Sequence, residues 1–253
     1  MKNILILSLL FAIIPASAFG TSTFQETFEL ELSGNYDNSG VVEEPGTGTT
    51  IDPDEATTTG DLTVPTCFGD EWMQFLAPDD EQNNIYNNSG VTEVSEGYIS
   101  LYFIIDSDSL TSGEEHTIFG ASADAWNYIF NIRLYENGSL QLRTDSTQLD
   151  ITSAGSIVDD TLYQVEVYFD AVSDDWEWKI NGGTFDGSSE GSGTGTMGPG
   201  ASGIGTFIIG DNSNARGANW YADNVNLETG DWAGDWAGCF SAGSAGRRRL
   251  IIQ

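Results

Sequence analysis

Histidine, cysteine and basic residues are scarce in this sequence of 253 residues. His116 is the sole histidine and Cys67 and Cys239 are the two cysteines, so a zinc site with the usual clustered ligand spacing is excluded. Basic residues number 8 against 39 acidic ones, for a formal net charge of −31. Such a negative surface repels phosphate backbones and anionic lipids, which argues against nucleic-acid binding.

Long apolar runs are also absent, apart from one at the N-terminus. Lys2 precedes an apolar segment over residues 4–14, and residues 16–18 read Ala-Ser-Ala, the small-x-small pattern that a signal peptidase accepts. At about eleven residues the segment is too short to span a bilayer, which needs roughly 20. We therefore predict a signal peptide over residues 1–18, a mature chain from Phe19, and a secreted or cell-surface protein without a membrane span.

The two cysteines lie far apart in the sequence. In an exported protein an isolated pair is more often a disulfide than two free thiols. We predict a Cys67–Cys239 disulfide, although bonding depends on whether the fold brings the two segments within bridging distance.

Alternation of apolar and polar residues, with period two, dominates the mature chain, and no helical period stands out. The 30 glycines are spread throughout. Residues 35–66 show weak strand content and are predicted as surface loops, and residues 187–203 as a Gly- and Ser-rich loop. Many short strands without intervening helices predict an all-β domain, an antiparallel two-sheet sandwich, over residues 19–230. Residues 231–253 are predicted as a flexible C-terminal tail, because frayed ends are common.

The segment YIFNIRLYENGSLQLRT predicts a hairpin whose register can be derived. A two-residue turn would mix the two faces of the hairpin. A three-residue loop over residues 136–138, with Gly138 left-handed, pairs Leu134 with Leu140 instead. This register places Arg133 opposite Gln141 on the face directed away from the core.

Several segments, in their order, resemble the concanavalin A-like lectin/glucanase superfamily, particularly its laminin-G-like branch. They are FQETFE, EGYISLYFII, NIRLYENGSLQLRT, DTLYQVEVYFD followed by WEWKINGG, and YADNVNL. The resemblance implies a jelly roll of two curved antiparallel sheets. It also implies a ligand site on the concave face or its rim loops, commonly for glycans, and frequently a bound calcium ion.

Calcium is the candidate cofactor, since loops rich in Asp, Asn and Gly supply the oxygen ligands that hard cations need. The first candidate pair is Glu26 with Asp223, which we expect on adjacent terminal strands. Further candidates are the loop Asp211-Asn212-Ser213-Asn214, and the pair Asp106 and Asp108. The alternative is an acidic solvated rim, which 39 carboxylates would produce in any case.

Aromatic side chains are the usual platform for a sugar, because the C–H face of a pyranose packs on a ring. Trp176 and Trp178 are predicted to lie in the core. Rings that flank loops or fall on the outer face, together with an outward arginine, form the candidate ligand-binding set: Trp126, Tyr128, Tyr168, Trp220, Tyr221 and Arg133.

Catalysis has weaker support. Glycoside hydrolases of this fold carry alternating carboxylates along one strand. The nearest run here holds Glu166 and Asp170, which we interpret as a surface pair, and His116 in a polar GEEHT segment is predicted to be exposed. No catalytic residue is assigned.

The leading hypothesis is an extracellular, lectin-like, non-catalytic carbohydrate-binding domain that is stabilised by the Cys67–Cys239 disulfide and by calcium, with a glycan or another extracellular ligand as its partner. The first alternative is a structural or adhesive surface protein, cellular or virion-associated, that uses the same fold without a sugar site. The second is a glycan hydrolase or lyase. The oligomeric state and the ligand identity stay open at this stage.

Overall fold

The computed structural model describes residues 21–26, 41–45, 50–55, 67, 71–76, 83–87, 94–105, 115–122, 128–144, 148–194, 203–204, 206–211, 219–235 and 238–240. Within these ranges there are fifteen β-strands and no α-helix. The predicted signal peptide, Trp126, Asn212 and residues 106–108 lie outside the described residues.

The strands are β1 Thr21–Glu26, β2 Val41–Pro45, β3 Thr50–Glu55, β4 Glu71–Leu76, β5 Asn83–Asn87, β6 Glu96–Ile105, β7 Glu115–Ser122, β8 Tyr128–Tyr135, β9 Leu140–Thr144, β10 Gln148–Asp150, β11 Leu162–Asp170, β12 Asp175–Gly182, β13 Phe185–Thr194, β14 Thr206–Asp211 and β15 Asn219–Thr229. The strands β2 and β3 fall in residues 35–66, where we had predicted loops.

Two antiparallel sheets contain all of these strands. Sheet A has the order β13-β12-β11-β6-β15-β4-β3, with β1 paired to β15 as its eighth strand. Sheet B has seven strands in the order β10-β9-β8-β7-β14-β5-β2. The predicted all-β antiparallel two-sheet sandwich is confirmed.

The core lies between the sheets and is built by period-two alternation. Along β11, Tyr163, Val165, Val167 and Phe169 are buried in the main apolar cluster, which also takes in residues of sheet B. The rings of Phe169 in sheet A and Phe130 in sheet B lie 6.2 Å apart between centroids. Burial of such side chains contributes about 1.5–3 kcal/mol each and drives the two sheets together.

Trp176 and Trp178 belong to this core, as predicted, with exposed fractions of 2% and 5%. The glycines of β13 lie directly on their indoles. A Cβ on Gly191 would come within 2.4 Å of Trp178, and one on Gly193 within 2.6 Å of Trp176. The prediction of a loop from residue 187 is therefore wrong up to Thr194, because there the glycines form a strand that covers the two tryptophans.

The β8–β9 hairpin has the predicted register. Leu134 pairs with Leu140, and Arg133 pairs with Gln141. Gly138 has a φ of 72° and donates its N–H to the Tyr135 carbonyl at 2.8 Å, which closes the three-residue loop.

His116 is a correction to the sequence-based prediction. It is the second residue of β7, and it is 1% exposed rather than lying in an exposed loop. Its ring meets Trp220 of the opposite sheet edge-on, with centroids 5.5 Å apart. The acidic neighbours of His116 made the segment look like a loop, but the alternation of β7 turns the imidazole inward.

The C-terminal segment of residues 231–235 and 238–240, called the strap below, packs on the face of sheet A that is directed away from the core. We had assigned it to a flexible tail. The predicted Cys67–Cys239 disulfide is present, with the two Cα atoms 5.2 Å apart, and it fixes the end of the strap. Among the described residues, no helix is long and apolar enough to cross a bilayer.

Candidate functional site

The outer face of sheet A brings together aromatic and ionisable side chains from three neighbouring strands. On β11 the residues that alternate with the core are Gln164, Glu166 and Tyr168. Register pairing sets Ser100 of β6 and Lys179 of β12 on either side of Glu166. The same pairing sets Tyr98 of β6 beside Tyr168.

Three half-buried rings form a continuous patch on this face, called the platform below: Tyr98, Tyr168 and Trp232. The centroid of the Tyr98 ring lies 5.1 Å from that of Tyr168 and 5.0 Å from that of Trp232. The ammonium of Lys179 lies 3.9 Å from the centre of the Trp232 ring, a cation–π contact that holds the indole in place. The platform therefore combines apolar ring surface with polar groups at its rim.

Burial and the surrounding carboxylates together keep the two phenols of the platform protonated. The Tyr168 hydroxyl donates to Glu96 Oε1 at 3.0 Å. Burial, followed by this hydrogen bond, raises the pKa of Tyr168, and burial followed by the charge of Asp231 raises the pKa of Tyr98. Both phenols stay neutral under physiological conditions and keep their hydroxyl protons for hydrogen bonding.

The strap covers the region of sheet A next to the platform. Gly234 donates its N–H to Glu166 Oε2 at 2.9 Å and accepts a hydrogen bond from Gln164 Nε2 at 2.6 Å. Asp235 accepts from the Tyr102 hydroxyl at 3.1 Å. The ring of Phe240 stacks on that of Tyr102, with centroids 6.0 Å apart.

Glu166 lies beneath the strap and is 3% exposed, so its interpretation as a surface residue is wrong. Burial raises its pKa to about 7, while the Gly234 hydrogen bond and the charge of Lys179 act in the opposite direction. Within the described part of the chain, its Oε1 atom and the buried Ser100 hydroxyl beside it have no hydrogen-bond partner. A carboxyl group with such a pKa is suited to proton transfer, but the strap closes this one to solvent.

Asp170, the other acid of the predicted pair, has a different environment. It accepts hydrogen bonds from the backbone of Val172 and Ser173 and from the Ser173 hydroxyl. These bonds lower its pKa and fix the turn after β11. Asp170 lies four positions beyond Glu166 along β11, which sets the two about 13 Å apart, beyond the spacing of the two carboxyl groups of a glycosidase.

Trp220 and Tyr221 are not available as a sugar platform, because each is 0% exposed. Trp220 belongs to the core between the sheets. Tyr221 packs with Tyr102 and Ile104 under the Cys67–Cys239 bridge. The prediction that one of the two rings points outward is therefore wrong, because β15 is a central strand that is covered on both faces.

Arg133 lies on sheet B, away from the platform. It is half-buried and forms an ion pair with Glu115, which also meets Arg143 at 3.4 Å. Nearby, the Tyr135 hydroxyl donates to Gln141 at 2.9 Å. Tyr128 begins β8 of the same sheet, and its side chain lies outside the described residues. Tyr168 and Arg133, two members of the predicted ligand-binding set, thus belong to different sheets.

The predicted calcium ligands are only partly brought together. Glu26 pairs with Val225 on β15, two residues beyond Asp223, so the expectation of adjacent terminal strands is confirmed. Asp223 is fully buried and accepts hydrogen bonds from the backbone and side chain of Asn224. Asp211 ends β14 in sheet B. Over the described ranges, no three His, Cys, Asp or Glu residues are grouped as a metal site, and the calcium site stays a prediction.

Sequence reasoning missed two members of the platform. Tyr98 falls on the outer face by the same alternation that placed Tyr168 there, so the strand pattern contained the signal. Trp232 belongs to the tandem GDWAG segment, which we had assigned to the tail. Only the packing of the strap shows that its ring joins the sheet.

Comparisons with known proteins identify the fold. No protein-family profile matches the chain, and no curated protein sequence matches it. The chain is similar in structure to the carbohydrate esterase vb_24B_21 from the Shiga toxin-encoding bacteriophage phi24B, with a TM-score of 0.57 and 13% identity over 84% of this chain and 100% of that chain.

It is also similar to a GH131 beta-glucanase catalytic domain from Podospora anserina, with a TM-score of 0.55 and 8% identity over 84% of this chain and 97% of that chain. At these identities the similarity shows a shared fold. It is consistent with the concanavalin A-like sandwich that the sequence resembles, while the laminin-G-like assignment stays a prediction.

Proposed function

We propose that this chain is a secreted or cell-surface carbohydrate-binding domain of the non-catalytic, lectin-like type, and that the platform is its sugar-binding surface. The observation that carries the proposal is the contact of three half-buried rings on one sheet face, with hydrogen-bonding groups at their edge. Rings of this kind pack on the C–H face of a sugar, and the carboxylate of Glu96 can accept from its hydroxyls.

Fold and charge support the choice of ligand class. Both structural neighbours named above are carbohydrate-active proteins, and they share the sandwich with this chain. The formal net charge of −31 disfavours anionic polysaccharides. We therefore expect neutral glycans as ligands.

The burial of Glu166 supports the non-catalytic part of the proposal. A substrate cannot reach this carboxyl group while the strap covers it, and Asp170 is engaged in a turn. The competing hypothesis of a glycan hydrolase or lyase requires turnover of a polysaccharide. The hypothesis of a structural or adhesive protein requires the fold without any glycan affinity.

Calcium belongs to the proposal as a stabilising ion. Asp223, with its buried carboxylate, would be the principal ligand, and Glu26 on the neighbouring strand would be the second. An ion held there would connect β1 and β15, the first and the last strand of the chain. Its effect is measured by repeating the binding assay with a chelator.

A glycan array of neutral oligosaccharides, probed with the wild-type protein and two variants, tests the proposal. Tyr168→Ala removes a platform ring, and we expect a loss of affinity of about tenfold or more, since aromatic contacts dominate such sites. Tyr135→Ala is the matched control, because it removes a half-buried tyrosine from the outer face of sheet B. Equal losses in both variants, or no binding by the wild-type protein, would contradict the proposed site.

A further inference from the structure

We propose that the part of the strap after Trp232, residues 233–235 and 238–240, occupies a second saccharide subsite of sheet A, so that it competes within the molecule against a glycan chain that extends from the platform. The subsite consists of Ser100, Tyr102, Gln164 and Glu166. This inference rests on the proposed function and adds to it a longer binding cleft and a built-in competitor.

The subsite continues the platform along the same strand. Tyr98, Ser100 and Tyr102 alternate on the outer face of β6, at intervals of about 7 Å. Gln164 and Glu166 stand beside them on β11 in register, with Gln164 paired to Tyr102 and Glu166 to Ser100. A linear ligand on Tyr98 would therefore reach these side chains if the strap residues after Trp232 were displaced.

The strap makes the types of contact that a saccharide would make there. Its Phe240 ring stacks on Tyr102, where a sugar ring would pack. The Gly234 N–H donates to Glu166, as a sugar hydroxyl would, and the Gly234 carbonyl accepts from Gln164, as a sugar oxygen would. The strap thus already occupies the Tyr102 ring, the Oε2 atom of Glu166 and the Nε2 atom of Gln164.

The strap leaves part of the subsite unsatisfied. Glu166 Oε1 and the Ser100 hydroxyl are buried beneath it and have no hydrogen-bond partner among the described residues. Buried polar atoms of this kind are costly and call for a donor or acceptor. A ligand with several hydroxyl groups carries both donors and acceptors for these two atoms, which the strap leaves without a partner.

Both ends of the strap are attached to the domain, which keeps the strap at a high local concentration beside the subsite. The strap follows β15 directly at one end, and the Cys67–Cys239 bridge holds it at the other. A glycan that needs the subsite binds only the open fraction of molecules, so its apparent affinity falls in proportion to that fraction. Weakening the closed strap should raise the affinity for long glycans and leave short ones unaffected.

The experiment compares Phe240→Ala with the wild-type protein on neutral oligosaccharides of graded length. The substitution removes the stacked ring and retains the disulfide and the backbone hydrogen bonds of the strap. We expect the affinity for the longer oligosaccharides to rise by about two- to tenfold, the range that follows from losing one aromatic pair. Adding Ser100→Ala in the Phe240→Ala background should reverse part of that gain.

Phe185→Ala is the matched control. This substitution also removes a partly buried ring that packs against a tyrosine, since the ring centroids of Phe185 and Tyr163 lie 6.4 Å apart. Phe185 lies outside the strap. If Phe240→Ala does not fold, Phe240→Leu removes the ring while preserving an apolar side chain. Amide exchange at Gly234 reports strap opening without any ligand, and it should be faster in the Phe240 variants than in the control.

The outcomes separate the two proposals. Binding by the wild-type protein that is unchanged at every length in both Phe240 variants would overturn the competitor and leave the platform standing. Absence of binding in all variants would overturn the proposed function, and the subsite with it. A gain that is equal for short and long oligosaccharides would also exclude a subsite beneath the strap.

Discussion

Replacement of Glu166 by glutamine should stabilise the protein at neutral and alkaline pH. Burial raises the pKa of this carboxyl group from its ordinary value of 4.5 to about 7. The folded state therefore holds the proton more tightly than the unfolded state does. The stability that protonation contributes is fully present below about pH 4.5 and is lost as the pH rises through about 7.

The size of the stabilisation follows from the same difference in the pKa of Glu166. At about 1.4 kcal/mol for each pH unit, the interval from 4.5 to about 7 corresponds to about 3 kcal/mol. Glutamine imitates the protonated acid at every pH, because it carries no charge and its carbonyl can accept from Gly234. We expect Glu166→Gln to match the wild-type protein near pH 4.5 and to exceed its free energy of unfolding by up to about 3 kcal/mol above pH 7.

Urea denaturation between about pH 4.5 and pH 8 measures this difference. Glu177→Gln is the control, because it removes the same charge from a half-buried position on the neighbouring strand of the same sheet face. In so acidic a protein any lost carboxylate relieves some repulsion, and the control measures that part. A difference between Glu166→Gln and the wild-type protein that does not change with pH would refute the reasoning.

Two further predictions concern stability. Replacing both Cys67 and Cys239 by serine should lower the free energy of unfolding by about 5 kcal/mol in urea denaturation, because the bridge closes a loop with a sequence separation of 172 residues; a change below about 1 kcal/mol would contradict this. Gly138→Ala should destabilise by more than Gly155→Ala, since both residues have positive φ, but only at Gly138 would a Cβ lie 2.5 Å from a carbonyl, that of Ile157. We expect the free energy of unfolding, measured by thermal unfolding, to fall by about 3 kcal/mol for Gly138→Ala and by about 1 kcal/mol for Gly155→Ala. Equal losses in the two variants would show that the structure relieves the clash at Gly138.

The register of the hairpin and the two tryptophans of the core could be predicted because they depend on local alternation. One face of β8 must be apolar, and a single loop length satisfies that requirement. His116 could not be placed in the same way. Its flanking acids resemble a loop, and only the opposite sheet supplies the Trp220 ring that it contacts.

The residues of the candidate site show the same difference between local alternation and tertiary contacts. Tyr168 was identified by the period of β11, whereas Trp220 and Tyr221 were misassigned because exposure depends on the neighbours of β15 in space. The sequence by itself determined the strands with clear alternation, such as β8, β9 and β11, the faces of those strands and the cysteine pair, since side-chain alternation is a property of the extended chain. The tertiary structure alone decided that the strap covers Glu166 and that Trp232 meets Tyr98, because those contacts join segments that no local pattern connects.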